Sequence, residues 1–513
     1  MSMSASRRAV LAGSAAAGML PFLRMPGARA QTGAQTGGVL RFALSSFPPS
    51  IQPWQNTGTA AATIKLMIYR GLTSYGPDGA LRGELAESWS PIGTQGWEFK
   101  LRDARFQNGE KVTSADVKWT IEQIAAERST AYFRAEMQGV ERVETPDDLT
   151  VRIFLKEPVA TLPIWMASYH LPIISRNSPR GTFVGAGPFM IRAQERGTSI
   201  DLEPFRGYFR PGLPKLRGIR AVAYADENLR VAALRSGDVD LIEYVPWQSF
   251  DAIAADQRLR LDAVDGAFMF LVFNGTKAPF NDHRVRRAVA HAIRRDELVR
   301  AAFFGRGSPL MQLPVPESSP FYNAEFKEGW KYDPALSRRL LAEAGHANGI
   351  SCNLLSTAQY GMHKDTAEVV QQHLAAVGIR AELNMPDWAT RVSIGNRGQF
   401  DMAVMGTAAD SNDPDGIANF VDGSLSPSYV RSFGLKIDRI TQLLNQGRAE
   451  FDTAKRRDIY REMERIAIDQ APIVGLTWRS QGYAMRRQVT GFKNMPGALT
   501  FYSGLTFETA EVA

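Results

Sequence analysis

The sequence predicts an α/β chain of two or three lobes. Short apolar runs with the length of buried strands alternate with amphipathic runs that carry helix start and stop residues. The length, 513 residues, exceeds what one hydrophobic core accommodates. A third observation is the stretch Phe400–Phe420, where a strand runs straight into an acidic loop. Phe400–Gly406 is short and apolar, as a strand buried on both faces is, whereas Ala408–Gly416 holds Asp410, Asp413, Asp415 and a proline. In open α/β sheets, loops past the carboxyl ends of strands are where ligands gather. Spacing alone leaves two readings of the three carboxylates: a solvated turn, or a receiver for an ammonium group or a metal.

The N-terminal residues 1–30 have the form of an export signal. Ser6-Arg7-Arg8 precedes the apolar stretch Ala9–Leu23, and Ala28-Arg29-Ala30 supplies a small-x-small cleavage pattern. The paired arginines are similar to a twin-arginine signal; Val10 and Ala12 depart from it and leave the general secretory route open. The apolar core is shorter than the roughly 20 residues of a membrane span, and Pro21 interrupts it. Four arginines in this segment, Arg7, Arg8, Arg24 and Arg29, supply much of the formal charge of +7, so the rest does not point to nucleic acid or an anionic membrane. Cys352 is the single cysteine, which excludes an internal disulfide, and no cysteine near Ala30 is present to carry a lipid. An exported protein free outside the cytoplasm is expected.

Further along, Val39–Leu44 reads as a strand and Ser45–Trp54 as a proline-rich loop. Ile64–Arg70 looks helical, Gly71–Gly83 turn-rich, and Trp97–Arg102 a strand. Thr113 and Asp116 make a capping box for a helix to about Ala126, with Val117, Ile121 and Ile124 on one face. Leu149–Leu155, Val239–Val245 and Phe268–Asn274 read as strands. The turn Gly185–Phe189 lacks the third glycine of a dinucleotide fingerprint. Asp282–Gly305 has helical period, with Val285, Val289, Ala292 and Ile293 inward and Arg286, Arg287, Arg294 and Arg295 as a solvated face. Asp333-Pro334 opens a helix that Gly345 stops. A second helix, Asp365–Val377, leads into the strand Ile379–Leu383, and Asp452–Ile468 leads into Pro472–Trp478.

Catalytic motifs are missing: no G-x-S-x-G elbow, Walker loop or H-E-x-x-H appears, and the histidines are scattered. Other pieces stand together in a recognisable order. They are Ile68-Tyr69-Arg70-Gly71-Leu72 with Leu85-Ala86-Glu87-Ser88-Trp89; Phe99–Arg102 through Phe106–Gly109 to Val112–Val117; Gly185–Phe189; Asn274 with Pro279–Asp282 and Val285–Ala288; and Leu340–Gly345. Jointly, over nearly the whole chain after the signal, these resemble the oligopeptide, dipeptide and nickel binding family of ABC-importer solute-binding proteins (family 5).

The resemblance implies a two-lobed periplasmic binding protein fold with a hinge and an extra subdomain inserted in the first lobe. It places the first lobe at 38–265 with the insertion at about 54–184, the second lobe at 266–475, and a return to the first at 476–513. Hinge crossings fall near Asp265–Ala267 and Gly475–Thr477. A peptide or similar small organic solute would lie between the lobes and be delivered to a permease and ATPase complex in the inner membrane. A monomer without enzymatic activity, cofactor or metal is implied. An exported hydrolase on the same scaffold and a chemosensory receptor are the alternatives. Asp410 matches the aspartate that pairs with a ligand α-amino group in peptide-binding relatives. Trp388, Asn274, Ser45, Ser46, Phe47 and Tyr132 match cleft-lining positions, and Asp413 and Asp415 are candidates that also suit turn formers. Thr407 stands where a tryptophan is common. Gly395, Asn396 and Val404 stand where some peptide binders carry basic residues for the ligand carboxylate. Arg391 or Arg397 is open as a substitute, and an opine, amidated compound or sugar conjugate as ligand.

Overall fold

The computed structural model describes residues 37–317 and 319–513, so the export-signal reading of residues 1–30 falls outside the described residues. Strands from both halves of the chain join in one 11-stranded sheet. On one side, Val39–Leu44 pairs in parallel with Gly218–Ala223, and Ser199–Pro204 and Phe189–Glu195 continue it antiparallel. On the other, Ile350–Leu355 lies parallel to Ile379–Asn384 and to Met402–Thr407. The helix Gly361–Ala375 makes the crossover that the first of those parallel pairs needs.

Two long strands, Leu259–Phe273 and Val474–Arg486, pair antiparallel and join the two sides. Their ends belong to different cores. Leu259 and Ala484 pack with Val231, Ile242 and Phe250, whereas Phe268–Phe273 and Val474 pack with the helices of the second half. Between those ends the register slips at Asp265/Ala267 and again at Met269/Phe270. Such bulges bend a strand and sharpen its twist. Gly266 sits in the first of them because the backbone of Gly497 crosses there, where a Cβ would stand 1.8 Å from the Gly497 carbonyl oxygen.

A further core forms on the antiparallel sheet Ala86–Ile92, Gly96–Leu101, Thr150–Leu155 and Val140–Asp147, covered by the helix Ser114–Ala125. Thr113 and Asp116 close the expected capping box, and Val117, Ile121 and Ile124 are buried. Gly185 and Gly187 allow close packing against the end of the helix Thr59–Ile68: a Cβ on Gly185 would lie 2.4 Å from the Ile68 carbonyl oxygen.

Three readings change. Asp282–Gly305 is two helices, His283–Ala292 and Arg295–Phe303, separated at an extended Ile293. Arg286 and Arg295 are buried rather than solvated. Arg286 donates to the carbonyls of Phe280, Gln470 and Ala471, and Arg295 to those of Leu310, Gly475 and Ala290. One guanidinium satisfies several loose carbonyls at once, a use that hydrophobic periodicity does not register. Val239–Val245 pairs only at Leu241–Ile242. The tail, separately, contains a twelve-residue 3-10 helix, Gly497–Glu508, packed on the helix Thr59–Ile68.

Candidate functional site

A cavity of about 900 Å³ opens where strand ends from both sides of the sheet meet. Ser45, Ser46 and Phe47 leave the end of Val39–Leu44, and Thr407 to Asp410 leave the end of Met402–Thr407. Each strand is a largely buried run that opens into partly exposed residues at its end, so both loops project from carboxyl ends. Tyr132 and Glu136 close the cavity from the antiparallel-sheet core, Tyr169 from beside Tyr502 of the 3-10 helix, and Trp388 and Tyr429 from the second half.

Asp410 is held in this wall through one carboxylate oxygen. Tyr132 Oη donates to its Oδ2 at 2.9 Å and Asn419 Nδ2 donates to the same oxygen at 2.7 Å. Oδ1 receives no hydrogen bond from a described residue. Tyr502 Oη fixes the backbone by donating to the Asp410 carbonyl at 2.9 Å. Burial pushes the carboxyl up to about 6 and Asp415 adds to the rise, against the pull of Tyr132 and Asn419. Glu136, beside it, is pushed up to about 7, chiefly by burial. The arrangement suits a cationic group, which would restore the lost solvation of the carboxylate through a charge-assisted hydrogen bond.

Seven candidates come together on this cavity: Ser45, Ser46, Phe47, Tyr132, Trp388, Thr407 and Asp410. Ser45 donates through both its backbone N–H and its hydroxyl to Glu243 Oε1, which sets the loop. Trp388 meets Tyr360, His363 and Tyr429 with ring centres 5.5, 5.5 and 5.8 Å away. Asn274 and Asp413 lie elsewhere. Asn274 is buried, donates to the Gly398 carbonyl and accepts from Thr276, so its polar atoms are consumed by the loop it shapes. Asp413 takes a two-pronged pair from Arg456, at 2.9 and 3.0 Å, and caps the short turn Pro414–Ile417. Asp415 is likewise consumed: Arg448 Nε donates at 2.5 Å, Trp165 Nε1 at 2.9 Å and Thr161 Oγ1 at 3.2 Å. That contact ties the antiparallel-sheet core to the second half.

Sequence reasoning missed Asn419, Glu136, Tyr429 and Gln481. Asn419 lies on the one-turn helix Ala418–Val421, nine residues past its partner, in a stretch whose acids and proline give no helical period. Tyr429 and Gln481 carry no local pattern that separates a cavity wall from a core. Among the described residues no group of three His, Cys, Asp or Glu side chains is placed to hold a metal ion, and no helix is long and apolar enough to cross a membrane.

The sequence model of the bacterial extracellular solute-binding proteins, family 5 (middle region), matches residues 80–426. The chain belongs to this family. A family 5 chain of this kind is the periplasmic solute-binding component of an ABC importer, with the two-lobed fold. This family 5 protein is 27% identical over 482 residues to the glutathione-binding protein GsiB of Escherichia coli K12, covering 90% of this chain and 92% of the relative. It is 37% identical to the binding protein AgaA of A. tumefaciens R10, whose structure is a complex with agropinic acid; the TM-score is 0.87, over 93% of this chain and 99% of that one. DppA of Helicobacter pylori, in complex with the peptide STSA, shares the fold at 22% identity and a TM-score of 0.83, over 93% of this chain and 99% of that one.

Proposed function

We propose that this binding protein captures an amine-bearing small organic solute, of opine-like or short-peptide class, in the 900 Å³ cavity and delivers it to a membrane permease and ATPase complex. The observation that carries the reading is Asp410. Its Oδ2 is fixed by Tyr132 and Asn419 while Oδ1 takes no hydrogen bond from a described residue, so on this reading one carboxylate oxygen is oriented and the other receives the ammonium. Trp388, Phe47 and Tyr132 supply apolar area for the solute body, and Thr407 leaves room where a larger side chain would fill the cavity. The agropinic acid bound by the 37% identical AgaA supports an opine-like solute body but, being a lactam, not the amine; the name of GsiB supports a peptide-like, amine-bearing solute, and the amine reading otherwise rests on Asp410.

On this reading the protein is a monomer that acts outside the cytoplasm and transforms nothing. The lobes divide near residues 265 and 475, where Leu259–Phe273 and Val474–Arg486 carry their bulges, and closure about these points admits and encloses the solute. Native mass spectrometry of protein purified without refolding tests the proposal, because a closed cleft retains its solute. A retained amine-bearing mass, together with weakened calorimetric binding of that compound by Asp410→Asn, is the expected result. A retained compound without an amine, bound equally by parent and variant, would overturn it.

A further inference from the structure

A second, smaller chamber adjoins the cavity on the side of Asp410. It measures about 40 Å³, and Glu136, Asp410, Asn419 and Leu425 line both spaces. At roughly 10–15 Å³ for each water-sized group it takes about three or four of them, as many as the non-hydrogen atoms of a guanidinium head. Phe133 and Trp165, with ring centres 6.5 Å apart, form its apolar side. Glu136 stands between the two spaces, on the short helix Arg134–Gln138, and its Oε2 is buried without a hydrogen-bond partner.

The groups around this carboxyl leave it without a counter-charge. Arg448 is the cation whose field reaches it, yet its Nε is given to Asp415 at 2.5 Å and its Nη1 to Asn445 at 3.3 Å. Asp410 and Asp415 face Glu136 with like charge, and Tyr132, whose hydroxyl donates to Asp410, faces it as well. Arg134, on the same helix as Glu136, turns to the carbonyls of Ala126 and Glu127, and Arg431 turns to those of Asn419 and Ser426. Three carboxyls therefore share one guanidinium. A buried acceptor without a donor is costly, and a cation relieves the cost twice, by donating the hydrogen bond and by opposing the charge. A neutral donor supplies the first alone. Among the described residues these carboxyls are not placed to share a metal ion, so the group that fits is organic.

We propose that the chamber is a subsite for a second cationic group, with Glu136 as its acceptor, and that the captured solute carries a basic side chain ending in an ammonium or a guanidinium besides the amine that Asp410 takes. The inference deepens the proposed function and rests on it, because it seats this side chain beside an amine held by Asp410. Phe133 and Trp165 receive the stem of the side chain, and their rings add a cation–π hold on its end. Glu136 is then a specificity residue: it selects among amine-bearing solutes by what they carry next to the amine. A neutral group there leaves Oε2 unanswered, and an acidic one meets three carboxyls.

Calorimetry at pH 7 with two dipeptides of one shape tests it: Arg-Leu, and citrullyl-leucine, in which a neutral urea replaces the guanidinium. The parent should bind Arg-Leu at least about tenfold more tightly, Glu136→Gln should bring the ratio within about twofold, and Asp410→Asn should weaken both peptides alike; circular dichroism shows that each variant is folded. Proton release gives a second reading. At pH 7 a carboxyl of pKa about 7 is about half protonated and one of pKa about 6 about one-tenth. In buffers of different ionisation enthalpy, Arg-Leu should therefore expel about half a proton more than citrullyl-leucine from the parent, and no more than it from Glu136→Gln. The α-amino group is common to both peptides and cancels. Agmatine against n-pentylamine repeats the comparison without a peptide body: at equal millimolar concentration the dication should raise the melting temperature of the parent further, and that of Glu136→Gln no further. Peptides bound alike by the parent and both weakened by Asp410→Asn would overturn the subsite and leave the proposed function standing. Equal loss of both peptides in Glu136→Gln would also overturn it, making Glu136 a second contact of the one amine. A preference for Arg-Leu that Glu136→Gln abolishes, with neither peptide weakened by Asp410→Asn, would support the subsite and overturn the amine reading. Where neither peptide binds, agmatine decides, and stabilisation no greater than that by n-pentylamine refutes the subsite.

Discussion

Replacing Asp410 by asparagine separates the cost of this carboxylate from its use. Burial raises its pKa from an ordinary 3.8 to about 6. A shift of about two units corresponds to about 3 kcal/mol of unfavourable charge burial at about 1.4 kcal/mol per unit. Because the folded pKa lies above the unfolded one, the folded state binds more protons between about pH 4 and 6. The penalty is therefore fully present above pH 6 and is relieved as pH falls towards 4. Asparagine removes the charge and keeps an oxygen that accepts from Tyr132 and Asn419. The unliganded variant should be more stable than the parent at pH 7.5 by about 1–3 kcal/mol once weaker hydrogen bonds are subtracted. Spread over a chain of this size at about 2 cal/mol/K per residue, that is a melting shift of about 1–3 °C. The difference should vanish near pH 4. Binding of an amine-bearing solute should weaken by about 1.5–3 kcal/mol, or roughly 10- to 150-fold. Paired melting curves at pH 7.5 and 4, with calorimetry at pH 7.5, read both effects. A variant that melts below the parent equally at both pH values would show that Asp410 is a structural residue, and unchanged affinity would remove it from the site.

Four further outcomes are expected. Asp413→Ala leaves Arg456 buried and unpaired and should cost about 3–5 kcal/mol in chemical denaturation; solute affinity should stay within about twofold, because Asp413 lies off the cavity. Asp415→Asn weakens the contact among Thr161, Trp165 and Arg448, so the unliganded protein should show a larger radius in small-angle scattering; an unchanged radius would deny that contact a part in holding the halves together. Gly266→Ala drives a Cβ against the Gly497 carbonyl and should destabilise by about 1–3 kcal/mol as overpacking does, with denaturation midpoints as the check. Thr113→Ala removes the capping box of Ser114–Ala125 and should cost about 1 kcal/mol, and a neutral result would mean that the sheet beneath holds the helix unaided.

Local rules were written plainly in this chain. The capping box at Thr113, the helix starts at Asp333 and Asp452, and the acidic loop that follows an apolar strand all depend on residues within a few positions of one another. The order of short motifs carried the family and the fold, and with them Asp410, Trp388 and the Ser45–Phe47 loop as wall residues. Pairings at long separation left no such trace. Asp413 meets Arg456 and Asp415 meets Trp165, 43 and 250 positions away, so spacing alone could not tell the three aspartates of this loop apart, and only the family resemblance singled out Asp410 before their partners were placed. The single strand Leu259–Phe273 read as strand over its apolar end alone, because its two ends lie in different cores and share no alternation. Arginine was the least legible residue. Arg286, Arg295, Arg391 and Arg479 have the composition of a solvated face, yet all four are buried, two on carbonyls and two beneath the aromatic wall of the cavity. Charge and helical period are properties of the sequence. Whether a guanidinium faces water, a carbonyl or a solute depends on which distant backbone packs against it, and that was decided by the tertiary structure alone.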